Sequence, residues 1–277
     1  MKIKLLSIVF LLVTNLSIQA QQPFQVVVKG KGDPILLFPG FGCTGEVWDD
    51  LVKALSKKNQ CHIFTFAGFG KVAPIETPWL SSIKQGVLDY VKKEQLVKPI
   101  LLGHSLGGTL SLWLASEEPT LFKQIIAVDA LPATAALMIP NYNGAAIAYD
   151  NPQSKMMLNM SDAAFAAMNA QSVPMMCKNT EKQKVLIDWM NQADRKTYVY
   201  GYIDMLNLDL REAIGKINIP VTVLAAANPD IATVEKTYQS QFAKLPTTKF
   251  EYAENSAHFI MFDQPNWLIN KVIANLK

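Results

Sequence analysis

Charge is scarce in this 277-residue chain: Asp, Glu, Lys and Arg make up 18 %, while 50 % of the residues are apolar. That balance excludes a disordered or highly charged chain, and the length suits one large domain or a domain carrying an insertion. A basic excess is missing too. Of 26 Lys and Arg side chains, Lys2 and Lys4 fall in a stretch that reads as a cleaved leader, which leaves 24 against 23 Asp and Glu. A nucleic-acid partner would demand a basic footprint, and this near-neutral balance provides none. Long hydrophobic runs are also lacking. Residues 5–13 are apolar except for Ser7, well short of the ~20 needed to span a bilayer, so no stable membrane insertion is expected. This short run follows Lys2 and Lys4 and leads to Ser17-Ile18-Gln19-Ala20. Together these features predict a signal peptide over residues 1–20, cleavage near Ala20/Gln21, and a periplasmic or secreted mature protein.

Cysteine and histidine are equally sparse, with three of each. In an exported chain, cysteines raise the question of a disulfide. Cys43 follows the C-terminal end of one expected strand, and Cys61 opens a neighbouring parallel strand at its other end. That separation exceeds disulfide reach. Cys177 lies in a helical region, so three free thiols are expected. No paired His or Cys spacing resembles a metal site.

What is present is an alternation of short apolar runs and helical patterns. Strands are expected at 24–28, 34–38, 61–66, 99–103, 124–128, 221–225 and 248–252. Helices are expected at 47–57, 79–93, 107–118 and 233–245, with a closing helix after Pro265. This order predicts an α/β fold with a mostly parallel central sheet flanked by helices. Residues 131–210 break the rhythm, carrying nine of the 11 methionines and reading as several short helices. The core is therefore expected over 21–130 and 211–277, with 131–210 as an inserted helical cap. Asp209 and Glu212 have the spacing of a capping box for a last cap helix. Most of the methionines are read as core filling, with an apolar substrate pocket under the cap as the functional reading. Tyr198, Tyr200 and Tyr202 are candidates to line it.

The sharpest chemical signal is Gly103-His104-Ser105-Leu106-Gly107, a G-x-S-x-G set between an expected strand and helix. A serine on such a turn takes a strained backbone and stands exposed, and the flanking glycines keep the turn free of clashes. Its hydroxyl needs a base to become a nucleophile. His62 lies near the wrong end of its strand, and His104 diverges from its neighbour Ser105. His258 follows the last strand, at the sheet edge that also carries Ser105. His258 is thus the base candidate by elimination and position. Gly40-Phe41-Gly42-Cys43-Thr44-Gly45 has the form of a dinucleotide-binding turn, yet the acid that should end the next strand is absent from Phe66-Ala67-Gly68. No cofactor is expected.

The 103–108 turn, the Ala257-His258-Phe259 stretch leading to Gln264-Pro265, and the glycine-rich turn after the second strand resemble the α/β-hydrolase fold family. The likeness covers essentially all of the chain after the leader. It implies Ser105 as nucleophile, His258 as base, and an oxyanion hole made by the backbone N–H groups of Leu106 and Phe41. The triad acid usually follows the strand after the cap. Counting as in typical members lands on Pro229, so Asp230, one residue on, is the favoured acid; Asp129, ending the strand before the cap, is the alternative. The resemblance implies a small-molecule substrate, and the expected activity is hydrolysis of a small, largely apolar carboxylic ester through an acyl-enzyme. A lactonase, an amidase or aminopeptidase, and a cofactor-free perhydrolase are alternatives on the same fold. A non-catalytic binding protein on a decayed scaffold is the alternative from another class.

Overall fold

Runs rich in Ile, Leu, Val and Phe, bounded by turn residues, form the central strands of this protein. A computed structural model describes residues 22–276; the expected signal peptide lies outside the described residues. Among the described residues seven strands form one sheet: β1 (Phe24–Lys29), β2 (Asp33–Phe38), β3 (Asn59–Phe66), β4 (Ile100–His104), β5 (Ile125–Val128), β6 (Val221–Ala226) and β7 (Lys249–Ala253). Their order is β1-β3-β2-β4-β5-β6-β7. Only β1 is antiparallel to its neighbour; every other pairing is parallel.

Central strands of such a sheet are buried on both faces, so they read as continuous apolar runs. Successive side chains still alternate between two cores. Leu36, Phe38, Leu101, Ile125, Ala127 and Val223 face one, with α2 (Trp79–Lys93) and α3 (Leu106–Glu117) packed on it. Ile35, Leu37, Leu102, Ile126 and Leu224 face the other, against α1 (Asp49–Leu55) and α11 (Pro265–Asn275). Burial of each such leucine contributes about 2–3 kcal/mol, which makes the sheet the rigid platform of the molecule.

Five helices interrupt the strand–helix alternation between β5 and β6: α4 (Thr134–Met138), α5 (Pro152–Leu158), α6 (Asp162–Met176), α7 (Thr180–Gln192) and α8 (Arg195–Asn207). Local chemistry starts four of them. Asn151, Ser161, Asn179 and Asp194 each accept a backbone N–H of the following first turn with a side-chain oxygen. The helix expected to begin at Asp209 does not form. The Asp209 carboxylate instead binds the Arg211 guanidinium, and only a 3-10 turn, Ala213–Lys216, follows. An ion pair two residues away has displaced the cap. After β6 come α9 (Ile231–Gln241), β7, the short α10 (Ile260–Asp263) and α11.

The three cysteines are free and buried. Cys61 sits opposite Ile35, at the start of β2, so the sheet register keeps it from Cys43 beyond the other end. Burial pushes the thiols of Cys43 and Cys177 up to about 12 and that of Cys61 up to about 11. Thiolates are the reactive species. A thiol-exchange reagent should therefore leave the native protein unmodified at neutral pH and titrate all three thiols in denaturant; fast labelling of native protein would contradict this packing.

Candidate active site

Ser105 stands between β4 and α3 with φ 52° and ψ −120°, a region that L side chains rarely occupy. Packing enforces the conformation. A Cβ on Gly103 would lie 2.1 Å from Gly107 O, and one on Gly107 would lie 2.4 Å from Phe38 O. Only glycines at both places let the strand turn sharply into the helix. The Ser105 N–H is tied to Val128 O on β5 at 2.9 Å, so the elbow is anchored to the adjacent strand.

That strand ends in a second strained residue. Asp129 has φ 45° and follows β5 directly. Its Oδ1 accepts the Ala226 N–H at 2.8 Å and the Tyr238 O–H at 3.2 Å, and its Oδ2 lies 2.6 Å from His258 Nδ1. An Nδ1–H donated to this carboxylate leaves the His258 Nε2 lone pair free. Backbone strain on neighbouring strand ends is an observation of the kind that marks functional sites.

Asp230, the acid favoured from the sequence, has no part in this arrangement. It is exposed and caps α9, with Oδ1 accepting the Thr233 N–H and Oδ2 the Thr233 hydroxyl, both at 2.9 Å. These bonds lower its pKa and hold both oxygens at the helix end. The partner of His258 is Asp129, and this corrects the order of the two candidates.

The His258 loop is pinned on several sides. The His104 ring, fully buried, lies 4.5 Å from the His258 ring, and its Nε2–H donates to His258 O at 3.0 Å. Burial first, then the neighbouring His258, holds His104 well below the usual histidine range, so it is a neutral structural donor. The Phe259 N–H donates to Met176 O at 3.0 Å, at the end of α6. Asp263 completes the clamp. Its Oδ2 accepts the Ala257 N–H at 2.9 Å, while Oδ1 accepts the Lys178 and Asn179 N–H groups at 2.9 and 3.0 Å and the Cys177 thiol at 3.4 Å. The inserted helices are thereby bonded to the residues on either side of His258. Neither Asp263 nor Tyr238 was singled out from the sequence. The five-residue step from His258 to Asp263 is a recognisable spacing, whereas nothing around Tyr238 distinguishes it from a core tyrosine.

Gly40 closes the other side of the elbow. A Cβ there would meet His104 Nδ1 at 2.7 Å and Ser105 Cβ at 3.4 Å, so the turn carrying Phe41 rests against Ser105. The Phe41 ring is locked among Phe69, Trp79, Tyr198 and Tyr202, with centroids 5.1 to 6.0 Å away. Leu106 is the first residue of α3 and its N–H has no acceptor within the helix.

A cavity of about 290 Å³ opens at Ser105, Asp129 and His258 and is bounded by Thr134, Leu137 and Tyr238. Among the described residues its only ionisable wall groups are Asp129, His258 and Tyr238, which suits an uncharged ligand. Of the nine methionines in residues 131–210, Met175 alone lines this cavity; Met190 and Met205 are buried in the cores. The tyrosines do not line it either. Tyr198 and Tyr202 pack on Phe41, and Tyr200 donates to Asp150. The cavity runs toward α9 because the Phe41 side is filled by aromatic rings.

The clamp at Asp263 generates a prediction. Asp263→Ala leaves the buried Ala257 N–H and Cys177 thiol without this acceptor, along with the exposed Lys178 and Asn179 N–H groups, and should cost about 1–3 kcal/mol of stability. Urea unfolding measures this loss, and a change within a few tenths of a kcal/mol would contradict the clamp.

A sequence profile described as the alpha/beta hydrolase family matches residues 35–271. The chain is 24 % identical over 196 residues to the pimeloyl-[acyl-carrier protein] methyl ester esterase of Aliivibrio fischeri (strain MJ11), covering 70 % of this chain and 74 % of that one. It is also 24 % identical over 234 residues to the enzyme of the same name from Vibrio campbellii (strain ATCC BAA-1116), covering 83 % and 89 %. Its fold is similar to that of the enol-lactonase from Burkholderia xenovorans LB400, with a TM-score of 0.73 at 14 % identity, over 91 % of this chain and 95 % of that one. The matched profile runs from β2 through the Ser105 elbow to the His258 loop and α11, and on that span the chain belongs to the alpha/beta hydrolase family.

Proposed function

We propose that this protein is a carboxylic ester hydrolase in which Ser105 is the nucleophile, His258 the base and Asp129 the acid. The observation that carries the reading is the 2.6 Å contact from His258 Nδ1 to Asp129 Oδ2, on the same cavity wall as the strained Ser105. Asp129 holds the imidazole in the tautomer whose Nε2 accepts a proton. Ser105 Oγ attacks the ester carbonyl as His258 takes its proton. The backbone N–H groups of Phe41 and Leu106 stabilise the oxyanion, and His258 protonates the departing alcohol. Water activated by His258 then releases the acid from the acyl-enzyme. The methyl ester esterases similar to this chain support ester chemistry, and a cavity with no charged side chain beyond Asp129 and His258 supports a small neutral substrate. The lysine-led apolar run over residues 5–13, followed by the small residue Ala20, supports export of the chain before it acts.

A fluorophosphonate probe should add its mass to the peptide containing Ser105 in folded protein; a folded but unlabelled protein would favour a binding role. Ser105→Ala and His258→Ala should each lower turnover of 4-nitrophenyl butyrate by roughly 10⁴-fold, and the double variant should be little worse. Asp129→Asn should also lose about 10⁴-fold, with Asp230→Asn near wild type, because asparagine still caps α9. The opposite ranking would return the acid to Asp230. Esters, lactones and amino-acid anilides assayed side by side separate the reaction classes.

Export has its own test. Protein purified from the periplasm or medium of a bacterial host should begin near Gln21 by N-terminal mass analysis. An intact Met1 on cytoplasmic protein would refute the proposal.

A further inference from the structure

The Asp129 carboxylate is gripped from a helix that the proposed reaction does not otherwise use. Helix α9 touches the segment after β5 at two places. Gln241 is buried and binds the Ala133 backbone with both ends of its amide, Oε1 to N at 3.0 Å and Nε2 to O at 2.9 Å. One turn earlier, Tyr238 places its hydroxyl 3.2 Å from Asp129 Oδ1. Gln241 therefore docks the helix, and the Tyr238 hydroxyl is spent on the carboxylate. The phenol ring is fixed by Phe242 and Phe250, with centroids 6.2 and 6.0 Å away.

We propose that Tyr238 is a positioning residue for the acid, holding Asp129 Oδ1 so that Oδ2 is presented to His258 Nδ1. The proposal rests on the reading of Asp129 as the triad acid. A carboxylate on a short, strained strand end has two soft torsions. Two donors on one oxygen, the Ala226 N–H and the Tyr238 O–H, leave the other oxygen a single orientation. Burial and the adjacent carboxylate raise the phenol well above the usual tyrosine range, so it stays protonated and remains a donor. The hydroxyl also withdraws negative charge from the carboxylate and so tempers its pull on an imidazolium at His258. The other titratable groups facing this set are His104 beneath the His258 ring and Tyr252 beside Tyr238.

Removing the hydroxyl has two consequences. The carboxylate gains freedom, which lowers kcat, and more of its charge faces His258, which favours the protonated imidazole. Tyr238→Phe should therefore lower kcat about 10-fold with KM within about twofold, and move the acid limb of kcat/KM upward by about half a pH unit. Site-specific 3-fluorotyrosine at position 238, a stronger donor of nearly the same shape, should move the limb downward. This second substitution keeps the test open if Tyr238→Phe folds poorly.

Gln241→Ala serves as the structural control, expected to lower Tm without moving the limb. Asp129→Asn is measured alongside, and adding Tyr238→Phe to it should cost nothing further if the tyrosine acts through the aspartate. An unmoved acid limb in both Tyr238 substitutions would overturn the proposal while an inactive Asp129→Asn left the triad standing. Wild-type turnover in Asp129→Asn would overturn both.

Discussion

The contact between His258 Nδ1 and Asp129 Oδ2 joins residues 129 positions apart at 2.6 Å, and the rest of the structure is arranged to make it possible. A parallel sheet brings the C-terminal ends of its strands to one edge, and the order β4-β5-β6-β7 lays Ser105, Asp129 and the His258 loop along that edge. The sheet alone does not aim side chains. That aim comes from positive φ angles at Ser105 and Asp129, held by the backbone bonds Ser105 N–H to Val128 O and Asp129 N–H to Leu224 O. Strain of about 1–3 kcal/mol at each residue is sustained by the two apolar cores on either side of the sheet.

The helices inserted between β5 and β6 act on the same contact from a distance. Their role is not confined to roofing the cavity, to which Met175 is the only methionine contributed. The junction between α6 and α7 donates two backbone N–H groups and a thiol to Asp263, and Met176 O accepts from Phe259. Movement of these helices would pull on both neighbours of His258. The strand-end carboxylate and the histidine loop are thus braced by different parts of the chain, α9 on one side and the insertion on the other.

Much of this was legible in the chain itself. Short apolar runs between turn residues marked the central strands β2, β4 and β5, because strands buried on both faces have few polar positions to interrupt them. Trp79–Lys93 was legible as a helix from Leu80, Ile83, Val87 and Val91, which all enter the core. G-x-S-x-G marked Ser105 because its two glycines stand where a Cβ is excluded, Gly103 by Gly107 O within the turn and Gly107 by Phe38 O of β2. The methionines of residues 131–210 were a poor guide, since Met175 alone lines the cavity, Met190 and Met205 alone are buried, and Met138 and Met156 are exposed. The helix start at Asp209 failed because a carboxylate that can cap can also pair, and Arg211 was nearer.

Asp129 and Asp230 show where the sequence stops. Each follows a buried strand of the sheet edge that holds Ser105, and each carries the same functional group. By itself the sequence determined the sheet, the elbow and the loop that bears His258, because each depends on periodicity, glycine sterics or chain order within a few residues. Only the tertiary structure decided which carboxylate meets the imidazole. The choice depends on β5 lying beside β4, on a positive φ at Asp129, on Thr233 occupying both oxygens of Asp230, and on Tyr238 reaching across from α9. These are relations between atoms remote in sequence, and they come into being when the strands pair and the helix docks.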